Sequence, residues 1–182
     1  MSSTREPLWQ PYSTFLHHHL NPILLDWLLE HGSLTERLKE KCSSFRIEIL
    51  SQRWGPVFLS ERQSLGIPEH RWANVREVHL MCNDKPWVYA RTIIPRKTLT
   101  KKERSLLNIG TKPLGHLLFE HPDMQRSAFE FAEVRPEHYQ FNHAKVGLED
   151  RNTVLYGRRS IFFLSGKPLS VSEIFTKHFP FY

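Results

Sequence analysis

The stretch "NVREVHLMCNDKPWVYARTIIP", residues 74–95, decides how the chain reads. Two apolar runs, 75–82 and 87–94, flank a short polar turn, and Pro95 stops the second; this predicts a β-hairpin. Each run holds one arginine, Arg76 and Arg91, where a sheet core favours Val or Ile. Alternation puts Arg76, Val78 and Leu80 on one face and Glu77, His79 and Met81 on the other. A turn with an even number of residues (83–86 or 84–85) brings Trp87, Tyr89, Arg91 and Ile93 to the Arg76 face, whereas an odd one separates the arginines. Two guanidiniums on one apolar face need an anion, because a buried unpaired charge costs several kcal/mol. An internal ion pair is the competing reading.

Upstream, "NPILLDWLLEHGSLTERLKEKC" reads as two helices. Ile23, Leu24, Trp27 and Leu28 recur at helical spacing, Pro22 suits a first turn and Gly32 a stop. Ser33 with Glu36 forms the pattern of a capping box for the second helix. From residue 44 the period becomes two, through Phe45, Ile47 and Ile49 to Trp54. Residues 55–73, with Pro56, Gly66 and Pro68, read as a looser segment. Residues 1–19 read as a flexible arm, and the run His17, His18, His19 as a chance cluster, since three consecutive side chains cannot face one metal.

Downstream, "LTKKERSLLNIGTKPLGHLLFEH" supplies two short helices around the "GTKPLG" turn, and 126–134 alternates again. Residues 135–153 read as an inserted loop. Two final β runs flank "SGKP". Parity there puts Leu169, Val171, Glu173 and Phe175 on one face, so a carboxylate stands in an apolar row. Arg158 and Arg159 of "GRRS" point to opposite faces, one of them read as a solvated surface residue. The expected fold is α+β, one domain over 1–182: a largely antiparallel sheet with helices on one face and helical flaps over an internal ligand site.

Bulk properties narrow the function. The chain of 182 residues is 40% hydrophobic and 24% charged, with a formal charge of +6, as in a folded domain with an anion-attracting surface. Its basic residues are scattered, the densest run being "RKTLTKKER" at 96–104, so nucleic-acid binding is not expected. No apolar run approaches the roughly 20 residues that span a bilayer, and the start lacks a secretory layout, so a cytoplasmic protein without stable membrane insertion is expected. Cys42 and Cys82, forty apart and without CxxC spacing, are expected as free thiols.

Four segments, "WLLEHGSLTERL", "VREVHL…PWVYARTIIP", "GTKPLGHLLF" and "YGRRSIFFLSGKPLSVSEIF", resemble the chorismate pyruvate-lyase (4-hydroxybenzoate synthase) family in that order, across residues 24–176. The resemblance implies a cofactor-free, metal-free enzyme that splits chorismate into 4-hydroxybenzoate and pyruvate, the first committed step towards ubiquinone. It implies that Arg76 holds the ring carboxylate, that Leu34 and Leu114 add backbone contacts, and that Glu173 meets the 4-hydroxyl. It also implies that Arg91 lines the site near the enolpyruvyl group. Chorismate is a dianion, which two arginine forks would match. Breaking the C3–O bond and losing the C4 proton aromatises the ring, so the reaction needs no redox partner. A monomer is expected. The alternative is a sensing domain of the same fold that binds an aromatic carboxylate without turning it over.

Overall fold

A computed structural model describes residues 5–15, 19–144 and 153–180. In chain order the elements are β1 (Gln10–Pro11), α1 (Pro22–Leu28), α2 (Leu34–Lys41), β2 (Phe45–Gly55), α3 (Leu59–Leu65), β3 (Ala73–Cys82) and β4 (Lys85–Pro95). Two 3-10 stretches, Arg96–Thr98 and Lys101–Asn108, lead to α4 (Leu114–Phe119). Then follow β5 (Met124–Arg126), β6 (Glu130–Val134), α5 (Tyr139–Ala144), β7 (Leu155–Leu164) and β8 (Lys167–Phe175). The strands form one sheet in the order β1-β6-β7-β8-β4-β3-β2, with β5 also on β7, and every strand pairing is antiparallel.

Turn chemistry builds the two long hairpins. Asn83 and Asp84 both take positive φ between β3 and β4, as do Ser165 and Gly166 between β7 and β8. Both are two-residue loops whose twist suits the flanking strands. Sequence alternation then assigns the faces, with one exception. Cys82 pairs with Lys85 and Met81 with Pro86, but Leu80 pairs with Val88, leaving Trp87 as the extra residue of a β-bulge. Beyond the bulge parity is inverted: Arg76 lies opposite Thr92, and Arg91 opposite Glu77. The turn is even, as one expectation had it, yet the bulge separates the two arginines.

Helices cover both faces rather than one, because strands buried on both sides need two covers. On the near face, Leu24, Trp27, Leu28, Leu34 and Leu38 of α1 and α2 pack on Ile47, Val78, Leu80 and Ala90. Leu114 and Leu118 of α4 pack on Phe162 and Leu169. On the far face, Leu65 of α3 packs on Val75, Ile93 and Ile161, and Phe141 and Ala144 of α5 pack on Tyr89 and Ile174.

Caps explain where the near-face helices begin. The Asn21 side chain accepts from the Ile23 N–H at 2.9 Å with Pro22 at the first turn, and Ser33 accepts from the Glu36 N–H at 3.4 Å. The reciprocal half of the expected box is not made: the Glu36 carboxylate takes Lys39 at 2.9 Å instead.

Five further expectations are corrected. The looser segment contains α3, whose Glu61 accepts from the Phe58 N–H at 2.9 Å and whose end is Gly66 in the left-handed region. Residues 10–11 of the expected arm pair with β6, and 139–144 of the expected loop form α5; His17, His18 and 145–152 lie outside the described residues. Arg159 is not solvated but buried, donating to Glu130 at 2.7 and 2.9 Å. Cys42 and Cys82 are not free thiols: they form a disulfide, S–S 2.06 Å. Their separation in sequence hid that the end of α2 sits over the end of β3, with Cα atoms 5.5 Å apart.

Candidate active site

Across β3, β4, β8 and β7 the register aligns Val78, Ala90, Glu173 and Arg158 in one row, and Arg76, Thr92, Val171 and Ser160 in the next. Above these rows lies a small, narrow cavity, about 50 Å³ in volume. The sheet forms its floor. The first turn of α2, with Ser33 and Leu34, the start of α4 with Leu114, and Arg126 and Phe119 complete it. Leu34 and Leu114 are each the first residue of their helix, where backbone N–H groups have no intrahelical acceptor.

Arg76 is buried. One nitrogen donates to the Gly110 carbonyl at 3.0 Å, in the loop leading to α4, and its Nε has no hydrogen-bond partner among the described residues. Burial pulls this guanidinium down to about 10, so it is charged at neutral pH. Arg76 is thus a buried cation with one carbonyl acceptor and one unused donor, an arrangement chemically suited to an anion.

Glu173 lines the same cavity, two strands away, roughly 10 Å across the sheet at ordinary strand spacing. It is not alone in an apolar row, as parity suggested. Arg158, its register partner, donates to Glu173 Oε2 at 2.7 Å. The other end of that guanidinium donates to the carbonyls of Trp27, Leu28 and Glu30 at 3.4, 3.3 and 2.5 Å, which satisfies the end of α1. Arg158 is fully buried and therefore ties helix, sheet and carboxylate together.

Arg126, unremarked in the sequence, is the cavity's third arginine. It donates to Ser160 Oγ at 2.9 Å and to the His31 carbonyl at 3.0 Å, and lies over the rings of Phe129 and Phe162 at 4.2 and 4.7 Å. Burial pulls it down to about 10 as well. The signal available was an arginine opening the alternating run 126–134, but nothing local indicates which strand it joins.

Arg91 is not in this cavity. It lies on the far face, where Nε and Nη2 grip the two Glu61 oxygens at 2.8 and 3.1 Å and Nη1 donates to Glu77 at 3.1 Å. The Tyr89 hydroxyl and Ser51 also donate to Glu77, at 2.5 and 2.9 Å. Burial pushes the Glu77 carboxylate up, but Tyr89, Arg91 and Ser51 outweigh it and hold it below the usual carboxylate range. This is an internal ion network, and Arg91 and Glu77 border a separate groove on that face with Phe58 and Tyr139.

The cavity therefore has an arginine with a spare donor at one end and an ion-paired carboxylate at the other. The chorismate lyase family model matches residues 4–181. A probable chorismate pyruvate-lyase from Psychromonas ingrahamii is 40% identical over 156 residues, covering 84% of this chain and 81% of the relative. Another from Nitrosomonas europaea is 36% identical over 155 residues, covering 85% and 87%. The chain belongs to the chorismate lyase family. Solved structures share the fold at low identity: a GntR-family transcriptional regulator from Bacillus cereus (TM-score 0.57, 13% identity, 77% of this chain and 96% of that one) and the effector domain of PhnF from Mycobacterium smegmatis (0.54, 12%, 82% and 91%).

Proposed function

We propose that this chain is a cytoplasmic chorismate pyruvate-lyase, converting chorismate to 4-hydroxybenzoate and pyruvate, and that it works as a monomer. The observation that carries the reading is Arg76, a buried guanidinium with an unused donor facing a cavity that holds Glu173. In this reading Arg76 takes the ring carboxylate in a forked pair, and the first N–H groups at Leu34 and Leu114 add to its hold. Glu173, kept in place by Arg158, accepts from the 4-hydroxyl through its other oxygen.

Arg126 replaces Arg91 in the role of second cation. It meets the enolpyruvyl carboxylate and the charge that develops as the C3–O bond breaks. Phe119 and Phe162 add apolar walls against which the substrate ring can rest. The C4 proton leaves as the ring becomes aromatic, and 4-hydroxybenzoate and pyruvate together account for every atom of chorismate. Relatives at 36–40% identity carry lyase names, whereas the regulators share only the fold, so the sensing alternative is not favoured.

The test is to mix purified protein with chorismate and follow 4-hydroxybenzoate by absorbance and pyruvate by a coupled assay. Equal amounts of both are expected. Tight binding of 4-hydroxybenzoate without turnover would replace this reading with the sensing one.

A further inference from the structure

A second groove lies away from the cavity, where the end of β2, the loop after α3 and the end of β4 meet. Trp54 and Trp72 are its main apolar walls, and Arg71, Arg96 and Lys97 its charged ones; no acidic side chain lines it. Trp72 is 61% exposed and Trp54 38%, while Trp27 and Trp87 are buried in the core. Two large indoles left in water beside one another mark a surface with a use.

The cations are as free as the rings. Arg71, Arg96 and Lys97 are exposed, and none lies within ion-pair distance of a carboxylate among the described residues. Glu69, the nearest acid in sequence, faces Arg62 at 4.0 Å instead. Arg96 rests over the Trp54 ring at 5.8 Å, and Lys97 donates to the Gly66 carbonyl at 3.4 Å. The basic run does not stop there, since Lys102 and Arg104 follow, also exposed. The apolar surface is broad as well: Ile49 and Leu50 are exposed further along β2, the strand at the edge of the sheet.

We propose that this Trp54–Trp72 groove, with Arg71, Arg96 and Lys97, docks the protein reversibly onto an anionic phospholipid surface. Indole rings settle at the headgroup level, where an apolar body and one polar N–H are both accommodated, and unpaired cations are drawn to the negative leaflet. The groove's charged lining is all positive, which matches an anionic bilayer in sign. No helix among the described residues is long and apolar enough to cross a membrane, so the contact is peripheral.

The experiment is vesicle co-sedimentation of the full chain with phosphatidylcholine alone and with about one-third phosphatidylglycerol, at roughly 0.1 M salt, where the screening length is about 10 Å. Binding only to the anionic vesicles is expected, with a blue shift of tryptophan emission. Arg96→Ala and Lys97→Ala should each weaken binding about fivefold. Trp72→Ala should weaken it and remove most of the blue shift, and high salt should abolish binding. Unchanged melting temperatures would show that these exposed variants fold. Absence of binding, equal binding to neutral vesicles, binding indifferent to the three variants, or capture of a polyglutamate peptide or nucleic acid in place of vesicles would each overturn the proposal.

Discussion

Arg76 and Arg91 sit on adjacent strands, and both are buried, yet they have opposite fates. On the near face, Arg76 has a single carbonyl for company and opens onto space. On the far face, Arg91 is saturated by two carboxylates and two rings, Phe58 at 4.9 Å and Tyr139 at 5.5 Å. The near face leaves a charge without a carboxylate partner; the far face pairs its charges with one another. One bulged residue, Trp87, decides which arginine has which job.

This contrast can be broken at either arginine. Arg76→Ala should lower kcat/KM on the order of 10³-fold by removing the main carboxylate partner, while leaving the ligand-free melting temperature equal or higher, because an unsatisfied buried cation is gone. Arg91→Ala should do the reverse. It strands Glu61 and Glu77, which should cost about 3–5 kcal/mol in denaturant melts, with kcat/KM per folded molecule changed only a few-fold.

Finer distinctions come from the remaining groups. Arg126→Ala should cost on the order of 10²-fold in kcat, as loss of a donor to developing charge does; a change confined to KM would instead make it a ground-state binder. Glu173→Gln tests how protons move. With one oxygen already taken by Arg158, an orienting role predicts a loss of about tenfold, and a loss of 10²-fold or more would assign it as the base.

The smallest effect is in pH. Because Glu77 is held below the usual glutamate value of about 4.3, its contribution to stability is fully present above that value. The contribution is lost as pH falls through the lower folded value. Glu77→Gln should flatten this acid limb of the melting curve, and an unchanged limb would mean the network lends no pH-dependent stability.

Much of the fold was legible in the residues. Alternation in 74–95 and the Ser33 cap placed the hairpin and α2, and the motif order pointed to the family. Even the Arg158–Glu173 pair was within reach: a two-residue turn at Ser165 and Gly166 makes Leu164 face Lys167, and counting back sets 158 against 173. Other features were hidden for physical reasons. A bulge adds a residue without disturbing either run's own alternation, so parity carried Arg91 to the wrong face. The disulfide joins residues forty apart, and the place of Arg126 depends on a strand pairing that no local pattern announces.

The most direct measurement of the two-face account is the binding of 4-hydroxybenzoate, followed by calorimetry, to Arg76→Ala and Arg91→Ala side by side. The account predicts that Arg76→Ala loses binding and stays as stable as the parent, while folded Arg91→Ala binds nearly as the parent does. Retained binding in Arg76→Ala, with loss in folded Arg91→Ala, would contradict it and move the site to the far face.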